Sequence, residues 1–360
     1  MKKCKAACEN FGIRNKIYNN STEINKEFGY FAFPQEKQNE ENYQALFEYE
    51  AGYLKAEDCV RIHLQLAERN GAKALFGCKV NRIVFSEELE CYVLSEENQK
   101  ENNNNFVVDN VCGENDYCDK NYENYKDSVC GNKNKNGIKY NLNESIFYAK
   151  KIVLSCGSWI NEILSANFNF KLPLTIDLNH VYYFKFLNNS ILRNINNENL
   201  STECNYENSN LKNTPIFIIQ EDEENELYGF PDINNGNFFK FSLYHQKLSH
   251  NSVSEVKREH NSQIFSKVKK LCGKFIKNFR EENVELVKEI SCLYTSTPDR
   301  DFVIDYLPNT DMKVVVCSAC SGHGFKFSSA VGEHIKKLLY GECLPYEQFK
   351  IERFGDSFLK

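Results

Sequence analysis

Residues 313–341, KVVVCSACSGHGFKFSSAVGEHIKKLLYG, predict a buried strand, a tight turn of small residues and then a helix. The turn is SGHG at residues 321–324. The apolar face of the helix is formed by Phe327, Val331, Ile335 and Leu339. Unpaired amide groups and the helix dipole favour an anion at such a turn. Lys326 adds a positive charge where a helix start normally prefers a negative one, so the turn either binds an anion or carries an ordinary solvated lysine.

The rest of the chain alternates helix and strand patterns, which indicates an α/β and α+β fold. Residues 56–71 predict an amphipathic helix that ends at a glycine, and 72–77 (AKALFG) and 79–86 (KVNRIVFS) predict short strands. Residues 148–159 (YAKKIVLSCGSW) predict a strand that ends at Gly157. Four runs read as consecutive strands of an antiparallel sheet: NHVYYFKFL (179–187), PIFIIQ (215–220), ELYGFP (226–231) and NFFKFSLYH (237–245). Residues 262–279 predict a further amphipathic helix.

Composition limits the function classes. A chain of 360 residues normally forms two domains, and a net charge of −6 argues against nucleic acid as the main partner. The sequence has no apolar run of membrane-spanning length and no signal peptide, so we expect an intracellular protein, cytoplasmic or peroxisomal, that does not bind membranes. The final SFLK is not a peroxisomal Ser-Lys-Leu ending, so the compartment stays open.

Two polar segments, 96–139 and 188–213, are rich in Asn, Asp, Glu and Lys and show no apolar period. Such segments cannot bury enough apolar surface to offset the entropy of ordering them. We therefore predict that both are disordered insertions.

Cysteine use raises a separate question. The chain has 15 cysteines, and nothing in the sequence supports an oxidising compartment. Cys317 and Cys320 form a lone CxxC without a second pair at zinc spacing, so we expect no metal site. Cys292, in SCLYTSTPD (291–299), follows a long charged helical pattern; it could be a core thiol, a metal ligand or a point of covalent attachment.

Several stretches together resemble the FAD-dependent amine oxidases, the family of monomeric sarcosine oxidase, pipecolate oxidase and N-methyltryptophan oxidase. CLYTSTPDRDFVID (292–305) followed by VVVCSACSGHGFKFSSAVGE (314–333) is similar to the family's C-terminal signature. Residues 51–80 are similar to its helix before the central flavin-domain strands, and 148–159 to its strand ending in Gly-x-Trp. ELYGFP with KFSLYH matches its catalytic sheet.

The resemblance implies FAD as the cofactor, attached through a thioether to Cys292. The other residues that it assigns to the cofactor are Gly157, Trp159, Gly322, His323, Gly324 and Lys326. The alternative for Cys292 is a buried free thiol.

The resemblance also implies catalytic roles. Lys240 matches the lysine that supports oxygen reduction near the flavin, and Lys326 matches the lysine that pairs with the substrate carboxylate. Tyr228 and Tyr294 match tyrosines that line the substrate cavity. His245 matches the histidine facing the substrate amine, but it follows Lys240 by one residue more than in the family, so one of the two could point to the opposite face of the sheet.

The implied function is oxidation of the C–N bond of a small secondary amino acid of the sarcosine or pipecolate type, with O₂ reduced to H₂O₂, by a monomeric protein. The implied division is a substrate domain with a mostly antiparallel sheet (1–51 and 166–291), portions of a Rossmann-like FAD-binding domain (52–165 and 292–345) and a C-terminal tail (346–360).

The family's Gly-x-Gly-x-x-Gly turn for the FAD pyrophosphate does not occur in this sequence. Also missing is the family arginine, from the same N-terminal unit, that shares the substrate carboxylate. We therefore expect an incomplete FAD-binding domain. Either the natural protein extends further at its N-terminus and is an ordinary flavoenzyme, or the chain is a truncated, catalytically silent remnant or interaction module.

Overall fold

The computed structural model describes residues 2–34, 43–96, 146–187, 215–231, 238–244, 246–318 and 320–355. The predicted disordered insertions fall almost entirely outside these residues. The chain divides into two compact units. Unit 1 comprises Met1–Gln65, Thr175–Ser296 and Ser321–Lys326, and unit 2 comprises Leu66–Leu174, Thr297–Cys320 and Phe327–Lys360. The division into substrate and FAD-binding domains is a functional assignment, and it stays a prediction.

The described helices are α1 (Lys2–Phe11), α2 (Ser21–Glu27), α3 (Ala56–Arg69), α4 (Ile160–Phe168), α5 (Ser262–Phe275) and α6 (Ser328–Tyr340). Side-chain caps explain two of their starts. Asn20 accepts a hydrogen bond from the amide of Glu23 at 2.8 Å, and Asn261 accepts one from the amide of Ile264 at 3.0 Å. None of the helices in the described part of the chain combines the length and the apolar character that a membrane crossing requires.

The strands of unit 1 are β1 (Asn15–Tyr18), β2 (Ala45–Glu48), β7 (Thr175–Phe186), β8 (Phe217–Gln220), β9 (Glu226–Pro231), β10 (Phe238–Leu243), β11 (Ser249–His250) and β12 (Val284–Ser296). Strands β1 and β2 form an antiparallel pair. The others form one antiparallel sheet in the order β11-β7-β10-β9-β8, and β12 pairs with β7 along nearly its whole length. The consecutive antiparallel strands predicted from the sequence are thereby confirmed.

The core of unit 1 is aromatic and lies between this sheet and α5. Helix α5 buries Val268, Leu271, Cys272 and Phe275, at the spacing of one helical face. Phe239 and Phe241 of β10 and Tyr182 and Phe184 of β7 are buried in the same cluster.

The strands of unit 2 are β3 (Val80–Ser86), β4 (Cys91–Glu96), β5 (Ile146–Ala149), β6 (Ile152–Leu154), β13 (Val303–Tyr306) and β14 (Val314–Ser318). Strands β3, β4 and β5 form an antiparallel sheet. Strand β14 pairs in parallel with β6 and in antiparallel with β13. A parallel pair next to antiparallel sheets makes the fold mixed α/β with a mostly antiparallel sheet, as predicted; the Rossmann-like assignment of this portion stays a prediction.

The predicted strand at 72–77 is wrong, because those residues have no regular structure. Its largest apolar side chains, Leu75 and Phe76, are 60% and 54% exposed. Gly71 before the segment and Gly77 at its end both have positive φ. A short apolar run forms a strand only when a neighbouring strand can pair with it.

Candidate functional site

The predicted site residues of unit 1 gather on one face of its sheet. Cys292 of β12 pairs with Asn179 of β7, and Lys240 of β10 pairs with Tyr183 of β7. Residues 179 and 183 are an even number of positions apart on the same strand, so their side chains point to the same face. Their pairing partners Cys292 and Lys240 therefore point to that face as well.

The two predicted tyrosines follow the same register. Tyr228 of β9 pairs with Ser242, two residues beyond Lys240 on β10. Tyr294 lies two residues beyond Cys292 on β12. We call the face that carries Tyr228, Lys240, Cys292 and Tyr294 the polar face of the sheet.

The side chains of Lys240 and its neighbours form a cation–aromatic cluster. The Lys240 Nζ atom lies 4.9 Å from the ring centre of Phe230 and 6.0 Å from that of Tyr228. Burial lowers the pKa of Lys240, and its electrostatic interactions with Cys292 and Glu57 partly oppose that shift. The cation is thus partly stripped of water and faces ring surfaces.

Cys292 is a half-buried thiol on the same face. Burial raises its pKa, and the positive charges of Lys240 and Arg258 act in the opposite direction. Removing water from the site would favour the thiol, and the two nearby cations favour the thiolate that a covalent bond requires.

Three tyrosines form an aromatic group beside the thiol. Burial raises the pKa of both Tyr228 and Tyr294, and the two neighbouring phenols affect each other's pKa. Tyr244 meets Tyr228 edge to face, with ring centres 6.4 Å apart. Both predicted tyrosines therefore keep protonated phenols that can donate a hydrogen bond.

The 321–324 turn lies against Tyr294. The amide of Ser321 donates a hydrogen bond to the carbonyl oxygen of Thr295 at 3.0 Å, which anchors the turn beside the end of β12. Gly322 has a φ of +77°, and a Cβ atom on it would lie 2.5 Å from Cδ2 of Tyr294. Glycine is needed here because the backbone is left-handed and because the Tyr294 ring leaves no space for a Cβ atom.

His323 and Gly324 complete this turn and are half-buried, and Lys326 is exposed. The sequence predicts that the turn opens the helix directly. In the structure a 3₁₀ turn, Phe325–Phe327, comes first, and α6 begins at Ser328. Lys326 thus occupies the 3₁₀ turn and not the first turn of the α-helix.

Gly157 and Trp159 belong to unit 2, where β6 ends in a 3₁₀ turn that leads into α4. Gly157 has a φ of +53° with nothing within 4 Å of a Cβ position, and its carbonyl oxygen accepts a hydrogen bond from the Ser318 hydroxyl at 3.1 Å. Trp159 is 48% exposed. The predicted tight turn at the end of this strand is present.

His245 lies outside the described residues, so its predicted facing of the substrate amine stays a prediction. Its neighbour Tyr244 contacts Tyr228. This contact is consistent with the two-residue alternation of side chains that places Lys240, Ser242 and Tyr244 on the same face as Tyr228.

Sequence reasoning missed four residues around the polar face: Phe230, Tyr244, Arg258 and Glu57. Phe230 lies two residues beyond Tyr228, and Tyr244 lies four residues beyond Lys240. The two-residue alternation of strands therefore predicts that both share the face of these predicted residues. Arg258 and Glu57 lie in segments distant along the chain from Cys292 and Lys240, and no local pattern links them to the site.

The donor set fits a flavin chemically. A half-buried thiol, a partly desolvated ammonium and protonated phenols share one face, which suits an electron-poor ring that becomes negatively charged on reduction. The open space at Gly157, at the end of a strand paired in parallel, is the kind of backbone position that a nucleotide approaches closely.

Comparison with known proteins assigns the family. The model of the FAD dependent oxidoreductase family matches residues 126–338, which is more than half of the chain. The chain therefore belongs to the FAD dependent oxidoreductases, and its resemblance to the flavin-dependent amine oxidases is confirmed.

Among curated proteins, the chain is 27% identical over 320 residues to monomeric sarcosine oxidase of Arthrobacter sp. (strain TE1826), covering 88% of this chain and 62% of that protein. It is 24% identical over 319 residues to N-methyl-L-tryptophan oxidase of Yersinia pestis (strain Pestoides F), covering 87% of this chain and 62% of that protein. The chain thus spans 62% of the length of these two relatives.

Among solved structures, the fold is similar to NikD, an amino acid oxidase essential for nikkomycin biosynthesis. The TM-score is 0.64 at 15% identity, and the alignment covers 96% of this chain and 71% of that one. At this identity the likeness concerns the fold.

Proposed function

We propose that this chain forms part of an FAD-dependent oxidase that oxidises the C–N bond of a small secondary amino acid of the sarcosine or pipecolate type and reduces O₂ to H₂O₂. The observation that carries the proposal is the polar face, where Cys292, Lys240, Tyr228 and Tyr294 meet on one side of a single sheet. Its support is the family membership and the similarity to sarcosine and N-methyltryptophan oxidases.

FAD, when bound, would accept the equivalent of a hydride from the substrate and pass the electrons to oxygen. In this chain Cys292 would hold it covalently through the sulfur, and Gly322, His323 and Gly324 would lie against its ring. Gly157 and Trp159 are the candidates of unit 2 for contacting the cofactor. Nothing observed supports the alternative of a silent remnant.

The residues of the polar face have separable roles in this proposal. The Lys240 ammonium would stabilise the negative charge that develops on oxygen during its reduction, because a fixed cation in a desolvated site needs no reorganisation. The phenols of Tyr228 and Tyr294 would border the substrate and donate hydrogen bonds to it. Lys326 would bind the substrate carboxylate, and His245 would face its amine.

Covalent attachment has a direct test. Purified protein is denatured, separated on a gel and examined for flavin fluorescence at the position of the chain. We expect fluorescence for the wild type and for the exposed-thiol control Cys320→Ser, and none for Cys292→Ser. A fluorescent Cys292→Ser band would refute the role of Cys292.

The role of Lys240 is tested by separating the two half-reactions. Lys240→Met keeps the length of the side chain and removes its charge. We expect reduction by sarcosine or pipecolate without oxygen to be retained, while reoxidation by O₂ slows by a factor on the order of 10² or more. Equal loss of both half-reactions would instead indicate a structural role for Lys240.

The substrate class is tested with paired amino acids. Sarcosine and pipecolate should consume oxygen and release peroxide, whereas glycine, which lacks the N-alkyl group of sarcosine, should react poorly. Turnover of glycine at the rate of sarcosine would refute a secondary-amine substrate while leaving the flavin assignment intact.

A further inference from the structure

Cys343 and His334 form a thiol–imidazole pair at the C-terminal end of α6, in unit 2. The Sγ atom of Cys343 lies 3.6 Å from Nδ1 of His334. The chain reverses after α6 because Gly341 adopts a φ of +72°, and the amide of Glu342 donates a hydrogen bond to the carbonyl oxygen of Lys337 at 2.9 Å. This helix cap brings Cys343 back onto the last turns of the helix.

The environment of His334 determines which of its nitrogens carries the proton. His334 is 9% exposed, and its ring stacks on Tyr346 with ring centres 4.5 Å apart. Burial and the charge of Lys337 lower the pKa of His334, so the ring is neutral at neutral pH and carries one proton. Its buried Nε2 has no hydrogen-bond partner among the described residues, so a proton there would be an unpaired buried donor. The proton is better placed on Nδ1, from which the N–H points at the sulfur.

Two further groups face Cys343 in the described part of the chain. Lys337, on the same helix, is attracted electrostatically to the Cys343 sulfur. The Tyr306 hydroxyl on β13 also lies near, but it donates its hydrogen bond to the carbonyl oxygen of Leu338 at 2.5 Å. The Lys337 ammonium also pairs with the Glu333 carboxylate at 2.9 Å. A thiolate at Cys343 would therefore meet one N–H donor and a cation that is shared with Glu333. Cys343 is also accessible: its own side chain is half-buried, and Glu342 and Leu344 on either side are exposed.

We propose that Cys343 is a modification site that takes small disulfides such as oxidised glutathione, with the His334 N–H and the Lys337 ammonium stabilising the attacking thiolate. The thiol first loses its proton to solvent. The thiolate then attacks one sulfur of the small disulfide, whose S–S bond breaks as a new bond to Cys343 forms, and the other half leaves as a thiolate that takes up a proton. Neither oxidant nor reductant is consumed beyond the disulfide itself. The reaction is independent of the FAD-dependent function proposed above.

The test measures the rate of mixed-disulfide formation at each cysteine, with folded protein, oxidised glutathione and peptide mass spectrometry. Cys4, an exposed cysteine of α1, is the internal reference. We expect Cys343 to react on the order of tenfold faster than Cys4 at neutral pH, because the His334 N–H donor lies against its sulfur. This comparison needs no variant, and equal rates at the two cysteines would overturn the proposal.

His334→Phe tests the role of the imidazole. Phenylalanine keeps the ring that stacks on Tyr346 and removes both the N–H donor and the unpaired Nε2, so we expect the fold to be retained. Modification of Cys343 should slow about tenfold, while the rate at Cys4 is unchanged. Lys337→Gln should produce a smaller slowing in the same direction. If both variants leave the modification rate of Cys343 unchanged, then neither group stabilises the thiolate and the proposal fails.

Discussion

Replacing Gly322 by alanine tests the close approach of the 321–324 turn to Tyr294. Two separate costs are expected. The backbone φ of +77° is a left-handed conformation, which costs a residue with a Cβ atom about 1 kcal/mol. The new methyl group would also lie 2.5 Å from Cδ2 and 2.8 Å from Cε2 of Tyr294, so the ring must move.

The ring cannot move without loss, because it is half-buried and its phenol lies beside that of Tyr228. Forcing extra volume into a packed site costs roughly 1–3 kcal/mol. We therefore expect Gly322→Ala to lower the free energy of unfolding of unit 1 by about 2–4 kcal/mol.

Gly12→Ala is the matched control in the same unit. Gly12 has a φ of +64° and nothing within 4 Å of its Cβ position, so only the backbone cost of about 1 kcal/mol applies. Urea unfolding followed by circular dichroism measures the loss in free energy of unfolding for Gly322→Ala and for Gly12→Ala. Hydrogen exchange at the amides of β12 shows whether the destabilisation falls in unit 1.

A double-mutant cycle with Tyr294→Ala isolates the clash. In that background the cost of Gly322→Ala should fall to that of Gly12→Ala, because the ring is gone. If Gly322→Ala costs no more than Gly12→Ala in the wild-type background, the ring yields freely and the reasoning is wrong.

Two further predictions concern charged groups. Arg353 binds Asp299 through two nitrogens at 2.7 and 3.2 Å and lowers the pKa of that carboxyl from 3.8 to about 2. The pair therefore stabilises the fold fully above pH 3.8, and its effect is lost as the pH falls through about 2. Asp299→Asn should cost about 1 kcal/mol near neutral pH, after allowance for its exposure, and progressively less as the pH is lowered towards 2, as followed by urea unfolding across that range. Glu289→Leu removes the carboxylate that lies 3.1 Å from Nδ1 of His180, a residue that is 1% exposed, and should lower the melting temperature by an amount equivalent to about 2 kcal/mol. Glu285→Leu, at an exposed position on the same strand, should change the melting temperature little. Equal effects of the two substitutions would mean that the buried imidazole does not need its partner.

The strands and helices of the sheet region could be predicted because their signals are local. In NFFKFSLYH, phenylalanines alternate with polar residues, and this pattern predicts β10. The helical spacing of the apolar residues Val268, Leu271, Cys272 and Phe275 predicts α5. The same alternation places Lys240, Ser242 and Tyr244 together on the opposite face from Phe239 and Phe241.

The long pairing of β12 with β7 could not be predicted in this way. It joins residues 284–296 to residues 175–186, and its register shifts between Leu286 and Lys288, where the strand is irregular. That register pairs Cys292 with Asn179 and therefore places Cys292 on the polar face. No local pattern fixes a pairing over such a separation, and only the resemblance to the amine oxidases singled out Cys292 among 15 cysteines.

The polar face and the aromatic core depend on each other through Gly229. This residue lies in β9 between Tyr228 and Phe230, and its missing side chain would point to the core face. A Cβ atom there would lie 2.5 Å from the carbonyl oxygen of Lys240 and 2.7 Å from Cδ1 of Phe241. The Phe241 ring thus packs over the glycine, as an aromatic side chain often does across a strand pair, and holds β10 close to β9. Because Phe241 and Lys240 are consecutive, the packing of one against the core fixes the position of the other on the polar face. The cation of the proposed site is therefore positioned from the opposite side of the sheet, by residues that would never touch a substrate.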